Sequence, residues 1–73
     1  MKKTLIKSDV AGVVNEICFS KGDIVKKGES LLFIESMKME IPIEAPFDSE
    51  IEEILIKKDE VISQNQPLLT LIS

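Results

Sequence analysis

The sequence predicts an all-β fold: a flattened sandwich of two similar antiparallel halves, roughly eight short strands in all, related by a pseudo-twofold axis. Three observations lead there. The chain repeats itself with a shift of 37 residues, so that Val10–Ser36 can be laid on Phe47–Ser73 without a gap. The apolar residues are mostly Val, Ile and Leu, in short runs ended by turn residues. Neither half can bury its apolar face alone, so the two should pack against each other.

The repeat sets the elements in order. Val14 coincides with Ile51, Ile17 with Ile54, Phe19 with Ile56, Ile24 with Val61 and Val25 with Ile62; Leu31-Leu32 falls on Leu68-Leu69, and Ile34 on Leu71. Each half reads as strand, turn, short strand, turn, strand. Gly22-Asp23 and Gly28-Glu29 mark the turns of the first half, and Asp59-Glu60 and Asn65-Gln66 stand at the same places in the second. Asp and Asn tolerate positive φ better than other non-glycine residues, so the exchange is physically coherent. Pro67 should open the last strand, at an edge-compatible place for a residue without an N–H.

One segment has a competing pattern. Ile51, Ile54, Leu55, Lys58, Val61 and Ile62 carry helical spacing. The matching segment Gly12–Asp23 is rich in β-branched residues and broken by Gly22, a poor helix, so the repeat favours strand in both halves. Both halves also skip phase alike: Val14, Ile17 and Phe19 in one, Ile51, Ile54 and Ile56 in the other. A β-bulge in each would account for the skip.

Composition narrows the function classes. Seventy-three residues make a single small domain, 1–73, with no room for a deep cleft. A net charge of −4 repels phosphate backbones, which argues against a nucleic-acid partner. The chain contains no His and one Cys, which removes the commonest general base and metal ligand and excludes an internal disulfide. Cys18, between Ile17 and Phe19, is expected as a small core hydrophobe. The N-terminal run through Ile6 is cut short by Lys7, Ser8 and Asp9, and no stretch is long and apolar enough for membrane insertion. A reduced, cytoplasmic setting is the default expectation, with no metal site and no catalytic residues.

Between the repeats lies Ile34-Glu35-Ser36-Met37-Lys38-Met39-Glu40-Ile41-Pro42-Ile43. Residues on either side alternate like strands, so Ser36–Met39 should be a hairpin turn. Two-residue turns of this kind favour Asn-Gly or Asp-Gly because both central residues need positive φ. Met-Lys at the centre, with long apolar side chains exposed at a loop tip, breaks that local rule and points to function. A lysine at a hairpin tip is ordinarily only solubilising, and Glu35, Glu40 and Glu44 read as a solvated acidic rim. The alternative for these acids is a docking surface for a basic partner.

At this motif the chain resembles the biotinyl/lipoyl attachment domains. Glu35-Ser36-Met37-Lys38-Met39 is similar to their biotinylation motif, in which Ala or Ser precedes Met-Lys-Met. Gly12, Gly22-Asp23-Ile24-Val25, Gly28 and Ala45-Pro46 extend the likeness over nearly the whole chain. The run from Glu35 to Ile43 looks particularly like the small stand-alone biotin/lipoyl attachment proteins of bacteria, of biotin carboxyl carrier type. Ser49, Asp59 and Asn65 stand where the family often has Gly, departures expected to touch turn geometry only.

The resemblance implies two four-stranded antiparallel sheets, with Lys38 on an exposed hairpin between the fourth and fifth strands. It implies a biotin protein ligase that recognises the folded hairpin through Glu35, Ser36, Met37 and Met39 and attaches biotin covalently to Lys38. It implies a carrier role, with carboxybiotin shuttled between a biotin carboxylase and a carboxyltransferase. Lipoate on the same lysine is the alternative, although lipoyl domains usually have Asp-Lys-Ala at the hairpin. No "thumb" insertion is present between Cys18 and Gly22. The residues agree with this division of labour. An exposed lysine is protonated at neutral pH and Glu35 and Glu40 favour the cation, so an external enzyme must activate the amine.

Overall fold

Residues 2–73 are described in a computed structural model, and Met1 lies outside them. Eight strands follow in chain order: β1 (Lys3–Lys7), β2 (Gly12–Ile17), β3 (Ile24–Val25), β4 (Ser30–Ser36), β5 (Met39–Glu44), β6 (Ser49–Ile54), β7 (Val61–Ile62) and β8 (Pro67–Ile72). They form two four-stranded antiparallel sheets, one ordered β1-β8-β6-β3 and the other β5-β4-β2-β7. The expected all-β sandwich is borne out, and the segment with helical spacing is β6 and β7.

The core follows from the alternation. Val14, Leu32 and Ile34 of one sheet face Ile51, Leu69 and Leu71 of the other, all between 0 and 1% exposed. Leu31 and Leu68 are fully buried as well. Each such aliphatic side chain contributes about 1.5–3 kcal/mol on burial. The long axis is 36 Å against 18 and 17 Å across, which gives the domain two well-separated ends.

The pseudo-twofold relation reaches individual hydrogen bonds. The Gly22 N–H donates to the Ile51 carbonyl (2.8 Å), and 37 residues on the Asp59 N–H donates to the Val14 carbonyl (2.7 Å). These bonds join one half to the other, so the halves interlock. Gly22, Gly28, Asp59 and Asn65 all have positive φ, between 70 and 93°. The second half therefore repeats the glycine geometry with Asp and Asn. Both bulges are present: register slips between Val14 and Glu16 in β2, and between Ile51 and Glu53 in β6. The extra residues, Asn15 and Glu52, are repeat equivalents.

Three expectations are corrected. Cys18 is exposed, not a core hydrophobe. The bulge sets Ile17 and Phe19 inward, and strand alternation then turns the residue between them outward. The matched positions Ile24 and Val61 do behave alike, 63% and 76% exposed on the short edge strands β3 and β7. Pro67 does open a strand, but β8 is internal, between β1 and β6. It is tolerated as the first residue of the strand, beside the register slip between Ile6 and Lys7. Ser49 is a buried residue of β6 rather than a turn residue, its hydroxyl donating to the Phe47 carbonyl at 3.1 Å. Its equivalent, Gly12, lies where a Cβ would intrude on the Glu35 carbonyl and sit 2.8 Å from Ile34 Cγ2. Only the first half brings its strands so close.

The symmetry also runs further than Val10–Ser36. With the same shift of 37, β1 falls on β5: Lys3 on Glu40, Leu5 on Pro42, Ile6 on Ile43 and Lys7 on Glu44. Lys2 and Ser73 exchange backbone hydrogen bonds (2.8 and 2.9 Å) where Met39 and Ser36 pair in the other half. Met37 and Lys38 are thus the two residues left over between the complete repeats.

Candidate functional site

β4 and β5 run antiparallel from Ser30↔Glu44 to the closing pair Ser36↔Met39, and Met37-Lys38 is the two-residue turn beyond it. Both central residues take positive φ, 53° at Met37 and 64° at Lys38. Such a turn matches the right-handed twist of its strands. For residues with a Cβ this left-handed region costs roughly 1–2 kcal/mol each. Met37 is 91% and Met39 61% exposed. The two methionines and Lys38 form the tip, and β4 and β5 hold it beyond the end of the packed core, whose last buried residues on these strands are Ile34 and Ile43.

Of the candidate recognition residues, Met37, Lys38 and Met39 lie together at the tip, and Ser36, half-buried, pairs across the hairpin with Met39. Glu35 lies on the opposite face of the strand from Ser36 and directly opposite Glu40. The strands of this sheet carry Glu16, Glu35, Glu40 and Glu44 and no lysine, whereas β1 of the other sheet brings Lys3 and Lys7. The backbone is symmetric, but the charge on its edge strands is inverted.

Two polar links tie the bulges to those edges. Asn15 Nδ2 donates to a Glu40 carboxylate oxygen, across β4. In the other sheet Lys3 Nζ lies 3.2 Å from Glu52 Oε2. Burial, and next the carboxylates of Glu16 and Glu40, push the Cys18 thiol up. Lys38 joins no salt bridge among the described residues. The phase skip announced the bulge, but nothing in the spacing marked Asn15, whose partner is 25 residues away.

Other acids serve the fold. Asp23 accepts from the Ser20 N–H (2.8 Å), Glu29 from Lys26 (2.7 Å) and Glu60 from Lys57 (3.0 Å), each closing a turn. A groove of about 430 Å³ opens between the edges of β1 and β5, lined by the repeat equivalents Leu5 and Pro42, Ile6 and Ile43, Lys7 and Glu44. It sits on the pseudo-twofold axis, and no residue from Glu35 to Glu40 lines it.

Comparison with known proteins agrees with this geometry. The Biotin_lipoyl family model, described as "Biotin-requiring enzyme", matches residues 4–71. The Biotinylated protein TB7.3 homolog of Mycobacterium leprae is 34% identical over 68 residues, covering 93% of this chain and 94% of that protein. Methylcrotonoyl-CoA carboxylase subunit alpha, mitochondrial, of Dictyostelium discoideum is 31% identical over 65 residues, which is 89% of this chain but only 9% of that much longer relative. Among solved structures, a single-chain, multi-domain long-chain acyl-CoA carboxylase superimposes with a TM-score of 0.91 at 26% identity, covering 96% of this chain and 7% of that one. The repeat, the paired sheets and the match over residues 4–71 lead to one conclusion: this chain belongs to the Biotin_lipoyl family of biotin-requiring enzymes.

Proposed function

We propose that the chain is a biotin carboxyl carrier and that Lys38 is the residue to which biotin is attached. The observation that carries the reading is the turn: Lys38 is held at φ 64° at an exposed tip, between methionines that are 91% and 61% exposed. A strained, apolar tip has no role in packing, and it offers the amine clear of the core. The near full-length Mycobacterium leprae relative, itself named a biotinylated protein, favours biotin over lipoate. Lipoate on the same lysine is the second reading, since the family takes its name from both groups.

Lys38 fits a covalent acyl group because its side chain is exposed and free of any salt bridge among the described residues. An exposed lysine amine is protonated at neutral pH and is not a nucleophile as it stands. A biotin protein ligase would take the proton from Nζ and present an activated acyl group; the Nζ–C amide bond forms as the activating group leaves with its electron pair. Once attached, biotin supplies the carboxyl-carrying chemistry and the protein supplies reach and orientation. Glu35, Ser36, Met37 and Met39 are the residues we assign to ligase recognition. The biotin carboxylase and carboxyltransferase are the partners between which the tip would move, and tethering raises the effective concentration at both. On this reading the isolated domain has no catalytic activity of its own.

Intact-mass measurement of the natively expressed protein tests the proposal. A biotin adduct in the wild type, and none in Lys38→Arg, is the expected result. Arg keeps the charge but cannot accept the acyl group. A streptavidin-reactive Lys38→Arg protein would refute the assignment, the other eight of the nine lysines being its internal controls.

A further inference from the structure

We infer that Asn15 is a positioning residue for modification of the hairpin: by holding the Glu40 carboxylate over β4, it keeps Lys38 out of an ion pair and free for acylation. The inference rests on Lys38 being the acylated residue. The observations are local. Asn15 is the extra residue of the β2 bulge, so its side chain leaves the regular alternation of the strand. Its amide nitrogen donates to Glu40 although β4 lies between β2 and β5. The orientation of that amide is fixed by chemistry, because a carboxylate can only accept.

Glu40 has reason to go elsewhere. It stands directly opposite Glu35, and like charges so placed repel. The lysine nearest to it in the chain is Lys38, in the turn just before Met39, on a flexible four-carbon stem. Without the Asn15 donor, Glu40 is free to turn to the Lys38 ammonium. The second half shows what such a contact looks like: at the equivalent of Asn15 stands Glu52, and it captures the edge-strand lysine Lys3. In the half that bears the hairpin, an amide replaces the acid at the bulge and an acid replaces the lysine at the edge. The exchange leaves Lys38 outside any salt bridge among the described residues.

A ligase meeting Asn15→Ala would first have to break the Lys38–Glu40 pair in the free domain. Exposed pairs are worth about a factor of two to five. The expected result is a KM for the carrier domain raised about two- to fivefold with kcat unchanged. The deficit should vanish above about 0.5 M salt, where the Debye length falls to a few ångströms. Asn15→Ala/Glu40→Gln should recover wild-type KM, and Asn15→Ser, too short to reach across β4, should repeat the deficit if the alanine variant folds poorly. Nuclear Overhauser contacts between the Lys38 Hε and Glu40 Hγ protons, absent in the wild type, should appear in Asn15→Ala. That readout needs no ligase, so it stands apart from the question of biotinylation. An unchanged KM in both Asn15 variants, or a double variant no better than Asn15→Ala, would overturn the inference. A lysine–glutamate contact already present in the wild type would do so too.

Discussion

Replacing Met37-Lys38 by Asn-Gly should make the domain more stable while leaving it nothing to modify. The wild-type turn holds two residues with a Cβ at φ 53° and 64°. Each stands to gain roughly 1–2 kcal/mol from a residue at ease in the left-handed region. Part of this is offset, because Gly loses about 0.5–1 kcal/mol more backbone freedom on folding. The two leaving side chains give back almost nothing, since Met37 is 91% exposed and Lys38 is exposed as well. The net expectation is about 1–3.5 kcal/mol, or a rise of about 4–28 °C in Tm for a domain of this size. Thermal unfolding by circular dichroism, with urea titration to check that the slope is unchanged, measures it. Asp59 and Asn65 are built-in controls: they have φ of 72° and 70°, but their side chains already tolerate that region. Asp59→Gly or Asn65→Gly should therefore gain much less than the hairpin variant. A hairpin variant no more stable than wild type would show that the tip is not strained. The argument that Met-Lys is retained there for function would then fail.

Four further outcomes follow from the same geometry. Exchanging Met37 and Lys38 keeps composition and exposure but moves the amine to the other central turn position; ligase-catalysed incorporation should fall by a hundredfold or more at nearly unchanged stability, as a misplacement of about 1 Å can suffice, and a wild-type rate would show that register is unimportant. Gly12→Ala should destabilise by about 1–3 kcal/mol in urea titration, because its Cβ meets the Glu35 carbonyl and Ile34 Cγ2. The equivalent Ser49→Ala loses only one hydroxyl hydrogen bond and should cost about 1 kcal/mol. The Cys18 thiol is pushed up by partial burial, then by Glu16 and Glu40, so at pH 8 native protein should alkylate more slowly than urea-unfolded protein and Glu16→Gln should narrow the gap. The sign follows: a folded value above the unfolded one favours the fold at low pH and ceases to do so as pH rises through it. Faster reaction of the native thiol would contradict this.

The repeat made most of the fold legible in advance. Turn geometry, bulges and core faces are local consequences of side-chain period, so Gly22 and Asp59, or Val14 and Ile51, could be matched from their spacing alone. The hairpin was legible for the same reason, since Met-Lys breaks a local turn rule where it stands. Other features depended on which strands become neighbours. The equivalence of β1 and β5 has little sequence similarity behind it: Leu5 meets Pro42 and Lys7 meets Glu44, and only the paired sheets reveal it. The outward turn of Cys18 was misread because an apolar residue shows its type in the sequence but not its side of a sheet. Pro67 opened a strand as expected, yet whether that strand is internal is a matter of sheet order. The Asn15–Glu40 link is the clearest such case. It spans 25 residues of chain and crosses an intervening strand, and it exists because a bulge aims one side chain off its own ladder. Period and turn chemistry act between near neighbours and can be read in one dimension; contacts across strands are set by register and packing, which the chain acquires only on folding.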